Sequence, residues 1–521
     1  MSPRNGQKKY CVEIMDTTLR DGEQTPGVAF TPAEKLGIVR LLINQLHVDR
    51  VEIGSAGVSD GEREAITGIL AWAGRRFCKD RMEILGFADQ GRSVDWICSV
   101  GGSVVNLLVK GSPHHCRIQL GKEPAQHREA VRGEVLYALE KGLAVNVYLE
   151  DWTGGMAADF GYVYELVQSL ADLDIKRFML ADTLGCATPE RIALYMDWMN
   201  SAFPGKHFDF HGHNDYGLVT ANSIAAVNKG AKGIHTSING LGERAGNQSL
   251  SSLVVAIHDQ TQYRTRIAEK SIQHASEVVQ ALSGKRFAWN TPVVGSDVFT
   301  QTCGVHADGD KKGNLYSNKL LPERFGRNRN YALGKLSGKA SVEQNLEMLG
   351  LEDLEVDQRK KVLQEIVRLG DRKKQVTPAD LPYIISNILR TPAGGRIQVA
   401  DYHIESRMKG LPRATVTLRI DGVECTASSE GDGGYDAFVK VLRKELRKHG
   451  IVLPKLADYQ VRIPPGGKTD ALVETSICWE LPGGGRLTTS GVDCDQMAAA
   501  IIATEKMLNL VVRRNGPPLQ K

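Results

Sequence analysis

The chain has 521 residues, too many for one compact domain, so two or three are expected. Its 65 basic against 61 acidic residues leave a formal charge of +4, too small to argue for a nucleic-acid partner. A composition of 42% hydrophobic and 24% charged residues is ordinary for a soluble globular protein, and no apolar run reaches the roughly 18–20 residues of a membrane span. The nine cysteines are scattered singly without a Cys-x-x-Cys, which argues against a zinc ribbon or a disulfide framework and fits reduced thiols in the cytoplasm. Residues 1–9 are polar and lack an apolar targeting core. The densest basic run, 440–447, carries Val441, Leu442 and Leu446 at helical spacing and reads as one solvated helix face.

From residue 10 to about 261, short apolar or alternating stretches recur between helical patterns. Strands are predicted at 11–16, 50–54, 82–87, 104–108, 144–149, 178–181, 207–210 and 232–237, each followed by a helical stretch such as 33–46 or 62–73. Eight alternating βα units in this length match an α/β fold of the TIM-barrel type. A doubly wound open sheet is the rival, but no Gly-x-Gly-x-x-Gly opens a first helix. In a barrel, chemistry sits where strands end. The polar residues expected there are Arg20, Asp21 and Glu23, then Glu52 and Ser55, Lys110, Glu150 and Asp151, Asp182 and Thr183. His211, His213, Asn214 and Asp215 follow strand seven, and a loop from Asn239 to Asn247 follows strand eight.

Beyond residue 265 the alternation stops. A helix is expected at 266–282, then a polar, Gly-rich, loop-like segment at 298–333, then helices near 340–349, 356–370 and 379–389. His306, Asp308, Asn314 and Tyr316 in the loop-like segment can serve a lid or a plain surface connection. From about 397 a module of three strands and a helix (401–407, 414–420, 423–428, 435–448) is followed by a second copy (458–463, 472–479, 485–490, 495–508). The two copies can pack on each other or on a partner chain. The helix entries at 431–436 and 491–496 suit either an amino-acid ligand at free N–H groups or simple N-capping.

His211 and His213, two apart on a predicted strand, point the same way, and two imidazoles side by side can take adjacent positions around one divalent ion. Two polar residues capping a strand is the plain alternative. The second cluster at 16–24, also after a strand, shifts the balance, because a barrel would bring both clusters together. Asp21, His211 and His213 then form a three-ligand set with an open position for substrate. That donor set does not choose among Mn²⁺, Mg²⁺, Zn²⁺ and Co²⁺. A 2-oxo acid can chelate such an ion, with Arg20 placed for the developing alkoxide, Thr183 for the carboxylate, and Glu150 as base or water-orienting group.

The run Asp16-Thr17-Thr18-Leu19-Arg20-Asp21-Gly22-Glu23-Gln24 with a downstream His211-Gly212-His213-Asn214-Asp215 resembles the DRE-TIM metallolyase superfamily in its Claisen-condensing branch. The C-terminal repeat resembles the regulatory domain of 2-isopropylmalate and citramalate synthases. The finer pattern, carried by residues 146–152, 304–316 and 462–470, is similar to the (R)-citramalate synthases of the leptospiral type. The resemblance implies a TIM-barrel catalytic domain at 1–265, a mostly helical linker and lid at 266–395, and an α+β regulatory dimerisation domain at 396–521 with two βββα repeats. It implies condensation of acetyl-CoA with pyruvate and water to (R)-citramalate and CoA on the route to isoleucine, in a homodimer.

Carried over residue by residue, the resemblance gives Asp21, His211 and His213 to the metal (Mn²⁺ foremost), with Asn247 as a further contact. Arg20 and Thr183 hold the 2-oxo acid, and Glu150 is the favoured base, assisted by His306 and Tyr316, with Glu150 and His306 as a coupled pair the alternative. Asp308 and Asn314 meet CoA or the lid. Leu85, Phe87, Leu108 and Leu315 are expected to wall the keto-acid side chain, although each alone also reads as barrel core. Tyr435, Asp436, Tyr459 and Val473 are expected to line an isoleucine pocket. The rivals are 2-isopropylmalate synthase and homocitrate synthase on the same scaffold, a Schiff-base aldolase through Lys110, and a non-catalytic amino-acid-sensing scaffold.

Overall fold

The computed structural model describes residues 11–348, 354–371, 376, 380–381, 384–385, 396–462, 473–481 and 486–515. The chain forms two compact units: one runs to Phe299 and takes in Asn318–Asn328, and the other comprises Thr300–Ser317 and the chain from Arg329 onward. Among the described residues no helix is long and apolar enough to cross a membrane.

The first unit is a closed barrel of eight parallel strands in sequence order: β1 (Glu13–Asp16), β2 (Arg50–Ser55), β3 (Met82–Phe87), β4 (Val104–Lys110), β5 (Ala144–Glu150), β6 (Ile175–Asp182), β7 (Phe208–Gly212) and β8 (Gly233–Thr236). It closes where Glu13–Asp16 pair with Gly233–Thr236. The surrounding helices are α1 (Pro32–Leu41), α2 (Asp60–Arg75), α3 (Arg92–Ser99), α4 (Pro113–Leu120), α5 (Pro124–Glu140), α6 (Trp152–Ala158), α7 (Phe160–Gln168), α8 (Pro189–Ala202), α9 (Val219–Asn228) and α10 (Leu250–Gln260), with α11 (Ile272–Ser283) beyond.

All eight predicted strands form. Five of them, β2, β4, β5, β6 and β7, end later than expected: Lys110, Glu150 and Asp182, for example, are last strand residues rather than first loop residues, because Lys110↔Glu150 and Asp182↔Gly212 still pair in register. Helix starts follow local chemistry. At α1 the Thr31 hydroxyl accepts from Glu34 N–H, the Glu34 carboxylate accepts from Thr31 N–H, and Pro32 supplies a preset φ.

One apolar core fills the space between the strands' outer faces and the helices, with Ile14, Ile53, Ile84, Leu107, Val147, Phe178, Phe208 and Ile234 all buried in it. Val279 of α11, Val293, Val294 and Phe325 belong to the same core. Truncating one such side chain to Ala costs roughly 2–5 kcal/mol. The barrel interior differs. A small apolar cluster of Met15, Leu85, Tyr148, Met179 and Ala181, with Leu108 against it, is surrounded by buried Arg50, Glu52, Glu83, Asn106, Asn146, Asp209 and His235.

In the second unit the expected loop-like segment contains a helix, α12 (Gly304–Gly313), and a short parallel pair, β9 (Thr300–Gln301) with β10 (Asn330–Tyr331). The glycines and aspartates of α12 argue against a helix locally, and burial of Ala307 against Tyr331 and Ala340 overrides them. Helices α13 (Lys339–Met348) and α14 (Val356–Asp371) fall where expected. Most of the third, near 379–389, lies outside the described residues.

The two βββα repeats follow. Antiparallel β11 (Ile397–Glu405), β12 (Arg413–Ile420) and β13 (Val423–Glu430) carry α15 (Gly434–Lys448), and β14 (Lys455–Arg462), β15 (Val473–Glu480) and β16 (Arg486–Asp493) carry α16 (Gln496–Asn515). They share one core, in which Val416, Leu418, Phe438 and Leu442 of the first repeat meet Ile477, Trp479, Met507 and Leu508 of the second. The copies therefore pack on each other. Helix α16 also pairs with the backbone of β11: Asn509 Nδ2 donates to Ile397 O at 2.8 Å, and Val399 N–H donates to Glu505 at 2.9 Å.

Candidate active site

Three buried side chains converge at the C-terminal rim of the barrel. Asp21 lies in the turn after β1, His211 on β7, and His213 just beyond it. His211 Nε2 is 3.4 Å and His213 Nε2 3.9 Å from Asp21 Oδ2, and the two Nε2 atoms are 3.3 Å apart. Burial, with His213, His235 and Arg20 nearby, holds His211 well below the ordinary histidine range. Burial also lowers His213, against the opposing pull of Asp21. Both rings are thus neutral, the form in which an imidazole nitrogen offers a lone pair to a metal.

The surrounding atoms fit a cation. Asp21 Oδ1 and Asn247 Oδ1 are buried without a hydrogen-bond partner, while Asn247 Nδ2 donates to Leu241 O at 3.0 Å and leaves that oxygen free to ligate. An Asn247 backbone bridge to His213 ties the loop after β8 to the trio.

Arg20 stands beside it. Its Nε donates to Glu52 at 2.6 Å and Nη1 to Asp21 at 3.0 Å, and its guanidinium lies 5.8 Å from the Tyr148 ring centre. Burial opposes its charge, but the Glu52 and Asp21 carboxylates outweigh that and raise its proton affinity. Glu52 is itself fixed by Asn106 Nδ2 at 2.9 Å, and Asn106 by Asn146 at 2.8 Å.

A second polar string lies along the barrel axis: Tyr148 O–H meets His235 Nδ1 at 3.0 Å, His235 Nε2 meets Asp209 at 3.3 Å, and Arg50 donates to Asp209 at 2.5 Å and to Glu83 at 3.1 Å. Arg50 and Asp209 are 159 positions apart, which is why sequence reasoning did not connect them. The legible signal was only a polar residue at inward positions of otherwise apolar strands.

Glu150 pairs with Lys110 across the tips of β5 and β4. That contact engages the amine a Schiff base would need. Thr183 accepts a hydrogen bond from Asp151 N–H at 2.8 Å on its hydroxyl oxygen, so the hydroxyl proton remains free to donate. Its carbonyl accepts from Arg244, which also grips Asp215 at 2.8 Å and 3.0 Å. Of the expected hydrophobic wall, Leu85 and Leu108 stand in the interior cluster, whereas Phe87, at the very end of β3, is 41% exposed.

The remaining sites belong to the second unit. His306 and Tyr316 stack at 4.1 Å between ring centres. Asp308 pairs with Lys312 one turn on at 2.7 Å, Asn314 ends α12 in the left-handed conformation, and Leu315 is exposed. Tyr435 and Tyr459 meet at 5.1 Å, with the Tyr435 hydroxyl 2.7 Å from Thr504. Asp436 pairs with Lys440 and accepts from Asp432 N–H at 3.0 Å, and Val473 opens β15 as a buried residue.

A closed eight-stranded α/β barrel bearing a buried carboxylate and two neutral imidazoles on its rim defines a class, the barrel enzymes with a built cation site. Comparison with known proteins narrows the class. The HMGL-like pattern matches residues 11–279, more than half the chain, and the chain belongs to that family, within the DRE-TIM superfamily. The homocitrate synthase post-HMGL domain-like pattern matches 293–374, and the LeuA allosteric (dimerisation) domain matches 375–512.

The chain is 32% identical over 510 residues to the (R)-citramalate synthase CimA of Methanocaldococcus jannaschii, covering 96% of this chain and 99% of that one. It is 34% identical over 494 residues, 94% of both chains, to the Methanopyrus kandleri protein named "Putative (R)-citramalate synthase CimA". It is also 33% identical over 510 residues to that organism's "Probable 2-isopropylmalate synthase", covering 96% of this chain and 99% of the relative.

Proposed function

We propose that the chain is an (R)-citramalate synthase, joining the methyl carbon of acetyl-CoA to the keto carbon of pyruvate and releasing CoA by hydrolysis of the thioester. The observation that carries this reading is the Asp21, His211 and His213 trio beside Arg20, in a chain aligned nearly end to end with citramalate synthases. A divalent cation held by the trio, with Asn247 as a further oxygen donor, would polarise the keto group and accept its negative charge. Mn²⁺ is the favoured ion.

The protein's own groups do the rest. The Arg20 guanidinium serves the oxygen that gains charge, and its fixed partners Glu52 and Asp21 mean that no reorganisation is needed when charge develops. The Thr183 hydroxyl holds the substrate carboxylate. Glu150 takes the methyl proton on the oxygen not engaged by Lys110, with His306 and Tyr316 assisting. Asp308 and Asn314 serve the CoA end. Leu85 and Leu108 limit the keto-acid side chain to a methyl group, Phe87 and Leu315 completing the wall, and a clash with anything larger provides the discrimination.

In the second unit Tyr435 and Tyr459, with Val473 and Asp436, receive isoleucine as feedback inhibitor. The enzyme works in the cytoplasm as a homodimer. The relative named as an isopropylmalate synthase, at nearly the same identity, supports one alternative, condensation with 2-oxoisovalerate. Thiol release from acetyl-CoA with pyruvate, 2-oxobutyrate, 2-oxoisovalerate and 2-oxoglutarate in turn tests both. Highest kcat/KM with pyruvate is expected, and a preference for 2-oxoisovalerate would replace this reading with the alternative.

A further inference from the structure

Behind the reacting edge of the barrel lies a buried pair that the proposed chemistry does not use. At the tip of β4, side chains from two helices take both backbone polar groups of Lys110. Lys110 N–H donates to His127 Nε2 of α5 at 3.4 Å, and the Tyr162 hydroxyl of α7 donates to Lys110 O at 2.9 Å. The Tyr162 oxygen is also 3.0 Å from His127 Nδ1, which closes the ring of contacts. His127 and Tyr162 are 2% and 3% exposed, and their rings lie parallel within 3°.

Only one placement of protons satisfies all three contacts. The Lys110 N–H requires a lone pair on Nε2. The hydroxyl proton of Tyr162 is committed to the Lys110 carbonyl. Nδ1 must therefore carry the ring proton and donate it to the Tyr162 oxygen. His127 is neutral and fixed as the Nδ1–H tautomer, because a proton on Nε2 would set two N–H groups against each other.

We infer that His127 and Tyr162 are positioning residues that hold the tip of β4, and through it the Lys110–Glu150 pair, in the geometry the reaction needs. The inference rests on the role given to Glu150 above. The link is short: Lys110 and Glu150 are register partners, their side chains pair, and Gly111 N–H donates to Glu150 O at 2.6 Å. Helix α6 presses on the same tip so closely that a Cβ on Gly155 would lie 2.0 Å from Gly111 O.

The charged groups facing the imidazole are Lys110 on β4 with Lys122 and Arg128 beside and on α5, all cationic. Tyr162 on α7 and Cys116 on α4 complete the surround, and burial raises the Tyr162 hydroxyl above the ordinary tyrosine range. Burial first, and those cations second, depress His127 to about 4, which keeps the acceptor lone pair in place.

The test uses the full-length enzyme. Nitrogen-15 NMR of histidine-labelled protein, with His127 assigned by the signals lost in His127→Gln, is expected to show the Nδ1–H tautomer. Tyr162→Phe and His127→Leu are expected to lower kcat about tenfold, as misplacement at a reacting edge does, with Mn²⁺ affinity within about twofold of wild type. His127→Gln, whose side-chain oxygen can accept from Lys110 N–H, is expected to recover most of kcat.

A proton on Nε2, wild-type kcat in Tyr162→Phe and His127→Leu, or equal losses of kcat and Mn²⁺ affinity would each overturn the inference. A wild-type enzyme that releases no thiol with any 2-oxo acid would overturn the functional reading instead, leaving the tautomer to be scored by itself.

Discussion

The barrel interior and the core of the tandem repeats are both walled by β-strands, yet they bury different things. In the repeats, inward positions of β12 and β15 are Val416, Leu418, Ile477 and Trp479, and the buried polar atoms are chiefly hydroxyls, such as Thr489 accepting from Trp479 Nε1 at 3.0 Å. In the barrel, Arg50, Glu83, Asp209 and His235 are buried and bonded to one another, and buried Glu52 is bonded to Arg20 and Asn106. Burying such charges is costly, and replacing them with apolar groups of equal volume is often neutral for stability. The repeats spend their interior on cohesion, whereas the barrel keeps ions in fixed places below a site that has to hold still.

The widest gap between the two regions should come from the trio. Asp21→Asn or His211→Ala is expected to lower kcat/KM by about 10²–10³-fold, the size of losing one preorganised electrostatic contact, together with bound Mn²⁺ measured by metal analysis. Retention of both activity and ion would erase the distinction between the regions. On the other side, Tyr459→Ala is expected to shift the midpoint of isoleucine inhibition about tenfold, the worth of one well-placed apolar contact, while metal content stays at wild type. Coupled loss of metal would show that the repeats do more than regulate.

Leu85→Ala sharpens the barrel side. It is expected to move kcat/KM about tenfold from pyruvate toward 2-oxobutyrate, and unchanged ratios would assign Leu85 to packing alone. The smallest effect concerns acid. His127 is held at about 4 against an ordinary 6.5, so the unfolded chain binds more protons between those values. Its contribution to stability is complete above pH 6.5 and is lost as the pH falls toward 4. Denaturant titrations across that window should have a shallower pH dependence in His127→Gln than in wild type, and identical slopes would refute the depressed value.

Much of this was legible in the chain, for reasons that can be named. Short apolar or alternating stretches recur between helical patterns, so the eight strands stood out. Their ends did not, since Lys110, Glu150 and Asp182 look like loop residues while still pairing. Asp21, His211 and His213 were found because two compact polar clusters each followed a strand. The groups that hold the site stayed hidden: Arg50 with Asp209, Tyr148 with His235 and His127 with Tyr162 are partners only once the barrel closes. The helix at Gly304–Gly313 was masked by its own composition, and tertiary burial decided it.

The tight seat of Gly155 against Gly111 carries a last consequence. Any added carbon at Gly155 must displace backbone rather than a pliable side chain, so a saturation library should leave that position nearly as bare of survivors as Asp21. A map of mutational intolerance would then colour it as chemistry. Its silence would be steric, the mark of a doorstop and not of a tool.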